Sequence, residues 1–515
     1  MYMPLFAPDE LTKAEAIACL VYCNPFLPER IDAERRSLGP DYVESGAVWH
    51  ASLNRAYEPN LARFLALVED LCKTLRQRLI DGAVPTDAEA RLYEDLLMYA
   101  LYYRQHPALD RIGRAPKAAA PDHPEFASLF AALVADVRHF FKDVGLPAPD
   151  PAHLFACFSQ IQRAFDQIFN SIVGTSMAAA RLRASIWQSI FTHDMRRYRR
   201  TLYDKTGDYA TLIVGPSGTG KELVAHAIAV SRYVPFDPRK KAFTEDFAGL
   251  FFPLNLSALS PTLVESELFG HRRGAFTGAV DDRPGWLQTC PPLGTVFLDE
   301  IGDLDPLIQV KLLRVLQTRT FQRLGDTRTL EFRGKIIAAT NRDLAAQMRD
   351  GTFRRDLYYR LCSDIVATPS LREQLADSPD ELRTLVLFIA RRLIPDEADA
   401  VTDEVLRNIR RHLGPDYAWP GNFRELEQCV RNVLIRGEYR GAGPAQPDHP
   451  LDDLARGIGA GSLTADQLLS HYCAHVYHLA GTYEAAAKRL GMDRRTVRAK
   501  VMQLTPVPEQ GDTAV

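Results

Sequence analysis

Apolar residues recur three and four positions apart over most of the first 173 residues, the spacing that places them on one face of an α-helix. The clearest cases are "NLARFLALVEDLCKTLRQRLI" and, after a Thr86-x-x-Glu89 capping box, "EARLYEDLLMYALYYRQ". The pattern resumes in "LFAALVADVRHFFKDV" and "FACFSQIQRAFDQIFNSIV" beyond a Pro/Ala-rich break, "GRAPKAAAPDHPEF". Residues 1–173 therefore read as a helical N-terminal domain. Tyr93, Tyr99, Tyr102 and Tyr103 fall within it, and an aromatic stripe at this spacing is read as core in preference to a ligand pocket. From about Gly174 the period changes. "TLIVGPSG" and "GTVFLDE" are short β-branched runs that end in glycine or acid and lead into helical patterns, which predicts a parallel α/β sheet within 174–440. A Gly/Pro/Ala-rich stretch at 441–462 reads as a linker, 463–505 as a short helical module and 506–515 as a tail.

Composition adjusts this picture little. A chain of 515 residues exceeds what one hydrophobic core serves, which agrees with a multidomain reading. Its net charge of -3 means that any nucleic-acid surface must be local. No run of about eighteen apolar residues occurs, and "MYMPLFAPDELTK" lacks a basic segment followed by an apolar one, so no membrane partner and a cytoplasmic location are expected. The eight cysteines are scattered, as suits reduced thiols. Cys19 and Cys23 share one helical face, but no second Cys/His pair accompanies them, and a metal site is not inferred.

Chemistry concentrates in the central region. "GPSGTGKE", comprising Gly215, Pro216, Ser217, Gly218, Thr219, Gly220, Lys221 and Glu222, follows the apolar run "ATLIV" and opens a helix. In that context backbone N–H groups and the helix N-terminus face a phosphate while Lys221 supplies a point charge. Glu222 stands where the generic pattern has a hydroxyl for Mg²⁺, so the metal must lean on another acid. "TVFLDE" offers one: Asp299 to hold Mg²⁺ and Glu300 to polarise the attacking water. Thr340 and Asn341 end another strand pattern, where they suit sensing a γ-phosphate. "FRRDLYYRL" clusters Arg354, Arg355 and Arg360, and an arginine delivered in trans raises phosphoryl transfer by about 10³ to 10⁵. Arg424 in "WPGNFREL" starts a late helix from which it could reach back to the nucleotide.

The ordered set GPSGTGKE, ESELFGHRRGAFTGA, GTVFLDEIGDL, KLLRVLQ, ATNRDL, GTFRRDLYYRL and WPGNFREL resembles the AAA+ domain of sigma-54-dependent transcriptional activators, or bacterial enhancer-binding proteins. The resemblance spans residues 174–440. It implies an α/β P-loop ATPase with a helical lid, using ATP and Mg²⁺, and it makes Glu222 the usual residue after the loop lysine. By the same resemblance Asn255 hydrogen-bonds the catalytic Glu300, Thr340 and Asn341 form the first sensor, Arg424 the second, and Arg354 and Arg360 are fingers serving a neighbour's nucleotide. Arg355 falls at a variable position. Fingers in trans imply a homo-oligomer, a hexameric ring when active. Leu293 and the segment "SLREQLADSPDEL" depart from the family pattern.

The stretch "GHRRGAFTGAVDD" gains a meaning from the same resemblance. Gly274, Ala275, Phe276, Thr277, Gly278 and Ala279 would form the loop that touches the sigma-54 subunit of the RNA polymerase holoenzyme. Gly274 and Gly278 permit backbone angles other residues resist, and an apolar Phe276 held in water needs a partner to cover it.

At the C-terminal end, "YEAAAKRLGMDRRTVRAKVMQL" reads as the last two helices of a helix-turn-helix, with Asp493 as N-cap of the second. Six Lys/Arg stand against two Asp/Glu between Glu484 and Lys500. The module resembles the Fis type that binds double-stranded DNA upstream of promoters as a dimer. Arg494, Arg495, Thr496 and Arg498 are the expected base or phosphate contacts, each bidentate arginine–guanine pair giving about 1–3 kcal/mol of discrimination. Lys500 is expected on the DNA backbone.

Overall fold

The computed structural model describes residues 4–44, 59–114, 120–378, 380–441 and 463–503, with 458 and 461. Apart from residues 441, 458 and 461, the linker read at 441–462 lies outside the described residues, as does the tail at 506–515. Two compact units divide the chain, 1–438 and 439–515. Among the described residues no helix is long and apolar enough to cross a membrane.

The helical reading of the N-terminal region holds. Its main helices are α1 (Pro8–Tyr22), α2 (Glu29–Leu38), α3 (Pro59–Ile80), α4 (Asp87–Arg114), α5 (Glu125–Phe140) and α6 (Pro151–Ser171). The Thr86/Glu89 box closes as read: Glu89 N donates to Thr86 Oγ1 at 3.2 Å and Thr86 N donates to Glu89 Oε2 at 2.9 Å, satisfying donors the first helical turn leaves free.

A helix α7 (Met177–Phe191) leads into the sheet region. Five parallel strands form it: β1 (Thr211–Val214), β2 (Phe251–Asn255), β3 (Thr295–Asp299), β4 (Lys335–Thr340) and β5 (Asp364–Ala367), in the order β5-β1-β4-β3-β2. The two-residue period distributes side chains between two cores. Leu212, Val296, Leu298, Ile336 and Ala338 face one core, and Ile213, Phe297, Ile337 and Ala339 the other. The second core also takes residues of α6, α7 and α8 (Lys221–Val230). The first takes residues of α9 (Pro261–Phe269), α10 (Pro306–Thr318) and α11 (Arg355–Leu361). Helices α12 (Glu381–Leu393), α13 (Ala398–His412) and α14 (Asn422–Arg436) form the lid.

The N-terminal helices share a core with the sheet region across the boundary drawn at 173. Phe155 packs its ring 4.8 Å from Phe236, and Phe126 lies 5.0 Å from Phe243. An arginine-rich segment before β1 adds ion pairs to α4: Arg196 with Asp95, and Arg199 and Arg200 with Glu94. Both departures from the family pattern sit at this junction. Leu293 packs against the shared aromatic core. In the other segment, Asp377 accepts from the backbone N of Met177 and Ala178, while Glu381 accepts from the hydroxyls of Thr175 and Ser176. All eight cysteines are free.

Unit 439–515 contributes three described helices, α15 (Ala465–Ala480), α16 (Tyr483–Leu490) and α17 (Arg494–Met502). Cys473, Val476, Ala486, Ala487, Val497 and Val501 form their core, and the small alanines let α15 and α16 approach closely.

Candidate functional site: a phosphate cradle beneath a helical lid

The GPSGTGKE loop leaves the C-terminal end of β1 and closes onto the N-terminus of α8. Gly215, Gly218 and Gly220 take φ values of +154°, +76° and +85°, which side-chain-bearing residues resist. Gly215 and Gly218 are also packed where no Cβ fits: one at Gly218 would lie 2.3 Å from Gly421 O. Thr219 Oγ1 donates to Pro216 O at 2.8 Å and pairs with Thr368 Oγ1 at 2.7 Å, bracing the loop against the end of β5. Lys221 Nζ curls over the loop and donates to Gly215 O and Pro216 O, each at 3.1 Å.

One cleft of ≈ 580 Å³ gathers Ser217, Gly218, Gly220, Lys221, Glu222, Asp299, Glu300 and Arg424. Burial holds the Lys221 ammonium below its usual range, against the pull of Glu300 and Asp299. Burial likewise pushes the Asp299 carboxyl up. A phosphate beside Lys221 and a cation beside Asp299 would supply the charge that each buried group lacks, so the residues fit a magnesium–nucleotide pair.

Glu300 has a left-handed backbone, φ +55° and ψ +51°, and its Oε2 accepts from Asn341 N at 3.2 Å. Strand pairing explains the neighbourhood, since β4 lies between β1 and β3 and brings Thr340 and Asn341 beside both the cradle and the acids. Thr340 is fully buried, its Oγ1 accepting from Arg342 N at 3.0 Å. Asn255 corrects an expectation. It is in register with Asp299, yet its Oδ1 accepts from Ser257 N at 3.0 Å and Ser257 Oγ at 2.8 Å, and no hydrogen bond joins it to Glu300. The local turn after β2 captures the amide oxygen, and the backbone of Glu300 turns its carboxylate towards β4.

The lid is bonded directly to the cradle. Asn422 Nδ2 donates to Ser217 O at 2.9 Å and Phe423 N donates to Gly218 O at 3.0 Å, so Arg424 follows at the cleft wall. These clips were missed in the sequence, as was an adjoining apolar slot of ≈ 210 Å³ walled by Ile172, Val173, Leu182, Phe388 and Ile389 beside Thr219 and Gly220. Arg354 and Arg360 are exposed and outside this cleft. Arg354 Nε and Nη2 bind Asp356 at 3.0 and 2.6 Å.

The GAFTGA loop forms a closed hairpin whose ends, Gly270–His271 and Arg283–Pro284, pair antiparallel. Gly274 N donates to Ala279 O at 2.8 Å and Ala279 N to Phe276 O at 3.0 Å, with φ of +80° at Gly274 and +102° at Gly278. Arg272 clasps it through Asp282 and, at 3.2 Å, Asp326. Thr277 is exposed and Ala279 buried, while Ala275 and Phe276 are half-buried. Phe276 therefore does not stand in water: its ring packs edge-on to His271 at 4.9 Å and 68°.

In α17, Val497 and Val501 point into the core and leave Arg494, Arg495, Thr496 and Arg498 exposed. Asp493 Oδ1 accepts from Arg495 N at 2.8 Å, capping the helix as read. Lys500 differs from its neighbours, its ammonium being paired with Asp466 of α15.

Residues 190–366 match the family described as the sigma-54 interaction domain. The Nif-specific regulatory protein of Azotobacter vinelandii is 44% identical over 227 residues, covering 44% of this chain and 40% of that protein. The transcriptional regulatory protein ZraR of Klebsiella oxytoca is 39% identical over 302 residues, covering 57% of this chain and 63% of that protein. The matched region thus spans 40% to 63% of the length of these relatives. The solved structure of NtrX from Brucella abortus in complex with ATP aligns with 72% of this chain and 80% of its own at a TM-score of 0.39 and 24% identity. Residues 190–366 thus match a sigma-54 interaction domain, and the central region that holds the phosphate cradle, the strand-end acids and the glycine-hinged hairpin is similar to the corresponding part of these regulatory proteins.

Proposed function

We propose that the chain is a transcriptional activator that hydrolyses ATP in a homo-oligomeric ring, hexameric when active, and uses the hydrolysis to remodel sigma-54 RNA polymerase holoenzyme for open-complex formation. The observation that carries this reading is the presence in one matched domain of a phosphate cradle and a glycine-hinged hairpin with an exposed Thr277. Lys221 and the N–H groups of residues 215–222 bind and orient the phosphates. Magnesium bound at Asp299 would neutralise charge on the phosphate oxygens. Glu300 takes a proton from the attacking water, and its bond to Asn341 N gives that carboxylate a fixed aim. Arg424 reports on the nucleotide from the lid. Arg354 and Arg360, exposed and outside their own cleft, serve a neighbouring subunit, and releasing Arg354 from Asp356 is part of that assembly. Asn255 relays nucleotide state once freed from Ser257.

The hairpin turns hydrolysis into work on the polymerase. Phe276 leaves His271 as the hairpin extends, and the sigma-54 surface then covers the ring that His271 covered. At the other end, Arg494, Arg495, Thr496 and Arg498 contact double-stranded DNA upstream of the promoter, with two modules paired on an inverted site. Lys500, held by Asp466, contributes to the fold of the module before it contributes to DNA.

Two variants test the reading together. Lys221→Ala should reduce ATP turnover to background in a phosphate-release assay. Thr277→Ala should keep turnover within about threefold yet abolish open-complex formation by sigma-54 holoenzyme. Open complexes formed by Thr277→Ala at the wild-type rate would overturn the role of the hairpin, and normal turnover by Lys221→Ala would overturn the site.

A further inference from the structure

Helices α1, α4, α6 and α7, with Arg30 of α2 and Met195, Tyr198 and Arg199, line a partly open cavity of ≈ 120 Å³ that lies outside the nucleotide cleft. Its wall is mainly apolar, with Met98 from α4, Ile161 and Phe165 from α6, and Trp187 and Phe191 from α7. Tyr99, Tyr102 and Tyr103 line it too, whereas Tyr93 is fully buried in the core and donates to Phe140 O at 3.3 Å. The aromatic stripe read as core in the sequence is thus divided between core and cavity.

The volume and the polar groups define what fits. An apolar cavity of about 150 Å³ accepts a benzene molecule, so ≈ 120 Å³ suits a single six-membered ring. The charged wall residues already have carboxylate partners: Arg199 pairs with Glu94, and Arg30 Nε donates to Glu34 at 2.8 Å. Burial pushes Tyr22, Cys23 and Cys157 up to about 12, so these groups stay neutral. An anion or a cation finds no uncompensated charge here.

The same two helices wall the apolar slot beside Thr219 and Gly220, the base slot on this reading, where the base of a nucleotide held by the phosphate cradle would lie. The run from α6 into Val173 supplies Ile161 and Phe165 to the cavity and Ser171, Ile172 and Val173 to the slot. Helix α7 supplies Trp187 and Phe191 to the cavity and Leu182 to the slot. Phe165 and Ser171 are six residues apart on one helix, about 9 Å along its axis. A shift that widens the cavity at α6 and α7 moves the walls of the slot, because packed helices move as bodies.

We propose that this cavity is an effector site for a neutral, ring-sized molecule, and that its occupancy is linked to nucleotide binding through the α6–α7 pair. The linkage rests on the nucleotide reading given above; binding in the cavity does not.

The test uses the full chain and fluorobenzene as probe, followed by ¹⁹F NMR, with ATP affinity measured by calorimetry. Wild type should bind the probe saturably at one site. Ile161→Trp and Val21→Phe, each filling the cavity from a half-buried position, should weaken probe binding at least tenfold while keeping a cooperative melting transition. Saturating probe should change ATP affinity about fivefold or more, and ATP should change probe affinity by the same factor, since linkage is reciprocal. No saturable binding by wild type, or binding that survives in whichever filled variant melts cooperatively, overturns the site. Probe binding with an unchanged ATP affinity overturns the linkage. A chain that binds probe but no ATP overturns the nucleotide reading and the linkage together, and is thereby distinguished from failure of the cavity alone.

Discussion

Two glycine-hinged loops dominate the central region, and they use glycine for different reasons. In the phosphate cradle, Gly215 and Gly218 have positive φ and no room: a Cβ on the first would lie 2.1 Å from Thr368 Oγ1, and on the second 2.3 Å from Gly421 O. In the GAFTGA hairpin, Gly274 and Gly278 have positive φ, but a Cβ there meets nothing within 4 Å. The first loop is wedged between the sheet and the lid. The second is tied to the body at its base, where Arg272 N donates to Leu324 O at 3.0 Å and Gly270 O accepts from Leu324 N at 2.9 Å, while its tip is held by its own hydrogen bonds, the Phe276–His271 contact and the Arg272 clasp. A loop locked from both sides presents phosphate ligands without rearrangement, whereas a tip held this way can refold when its clasp opens.

The comparison is broken most directly at Gly218. Gly218→Ala forces Cβ against a backbone carbonyl that cannot yield, and ATP affinity measured by calorimetry should fall by about 100-fold or more, roughly 2.7 kcal/mol. Wild-type affinity would show that the cradle is as compliant as the hairpin. A smaller effect of a different kind is expected at Gly274. Gly274→Ala fits in space but strains a left-handed residue by about 1–2 kcal/mol, so amide exchange across residues 272–282 should quicken roughly tenfold while ATP affinity stays within twofold. The least change is expected when Arg272 is replaced. Arg272→Ala removes the clasp to Asp282 and Asp326, and exchange in the hairpin should quicken a few-fold, ATP affinity again unmoved.

Acid sharpens that last point. Backbone N–H donation, from Arg273 to Asp282 and from Arg328 to Asp326, holds both carboxyls below their usual value of 3.8, with Arg272 reinforcing each. A depressed folded value means a contribution present above 3.8 and lost only as pH falls through the lower folded value. Hairpin protection in wild type should therefore be the same at pH 7.5 and pH 5 once intrinsic exchange rates are corrected. Opening by pH 5 would remove the clasp from the account.

Legibility in the sequence followed the range of the interactions. The Thr86/Glu89 box, the Asp493 cap and the positive φ of Gly274 and Gly278 depend on neighbours a few positions away, and each is found as read. Asp299 and Glu300 were legible because a buried strand pattern ends at them. Phe276 was misread as standing in water because its partner His271 is invisible to a pattern that records polarity without packing. The bond expected from Asn255 to Glu300 is not made in this structure because Ser257, two residues on, takes the amide oxygen. Lys500, read as a contact to the DNA backbone, is instead paired within the module to Asp466 of α15, thirty-four positions away. Asn422 and the base slot left no signal, since their partners lie on segments brought together only by the lid and by the end of α6.

By itself the sequence determined where helices and strands run, which loop carries phosphate-binding groups and which strand end carries acids, because backbone angle, capping and hydrophobic period act within a turn or two of chain. Tertiary structure alone decided that the N-terminal helices share an aromatic core with the sheet region and that three tyrosines face a cavity while a fourth is sealed in. It also decided that one glycine loop is wedged while the glycines of the other face open space. Those outcomes depend on which surfaces meet, and dense packing lets residues scores of positions apart fix one another's volume, solvation and hydrogen-bond partners in ways that no local pattern encodes.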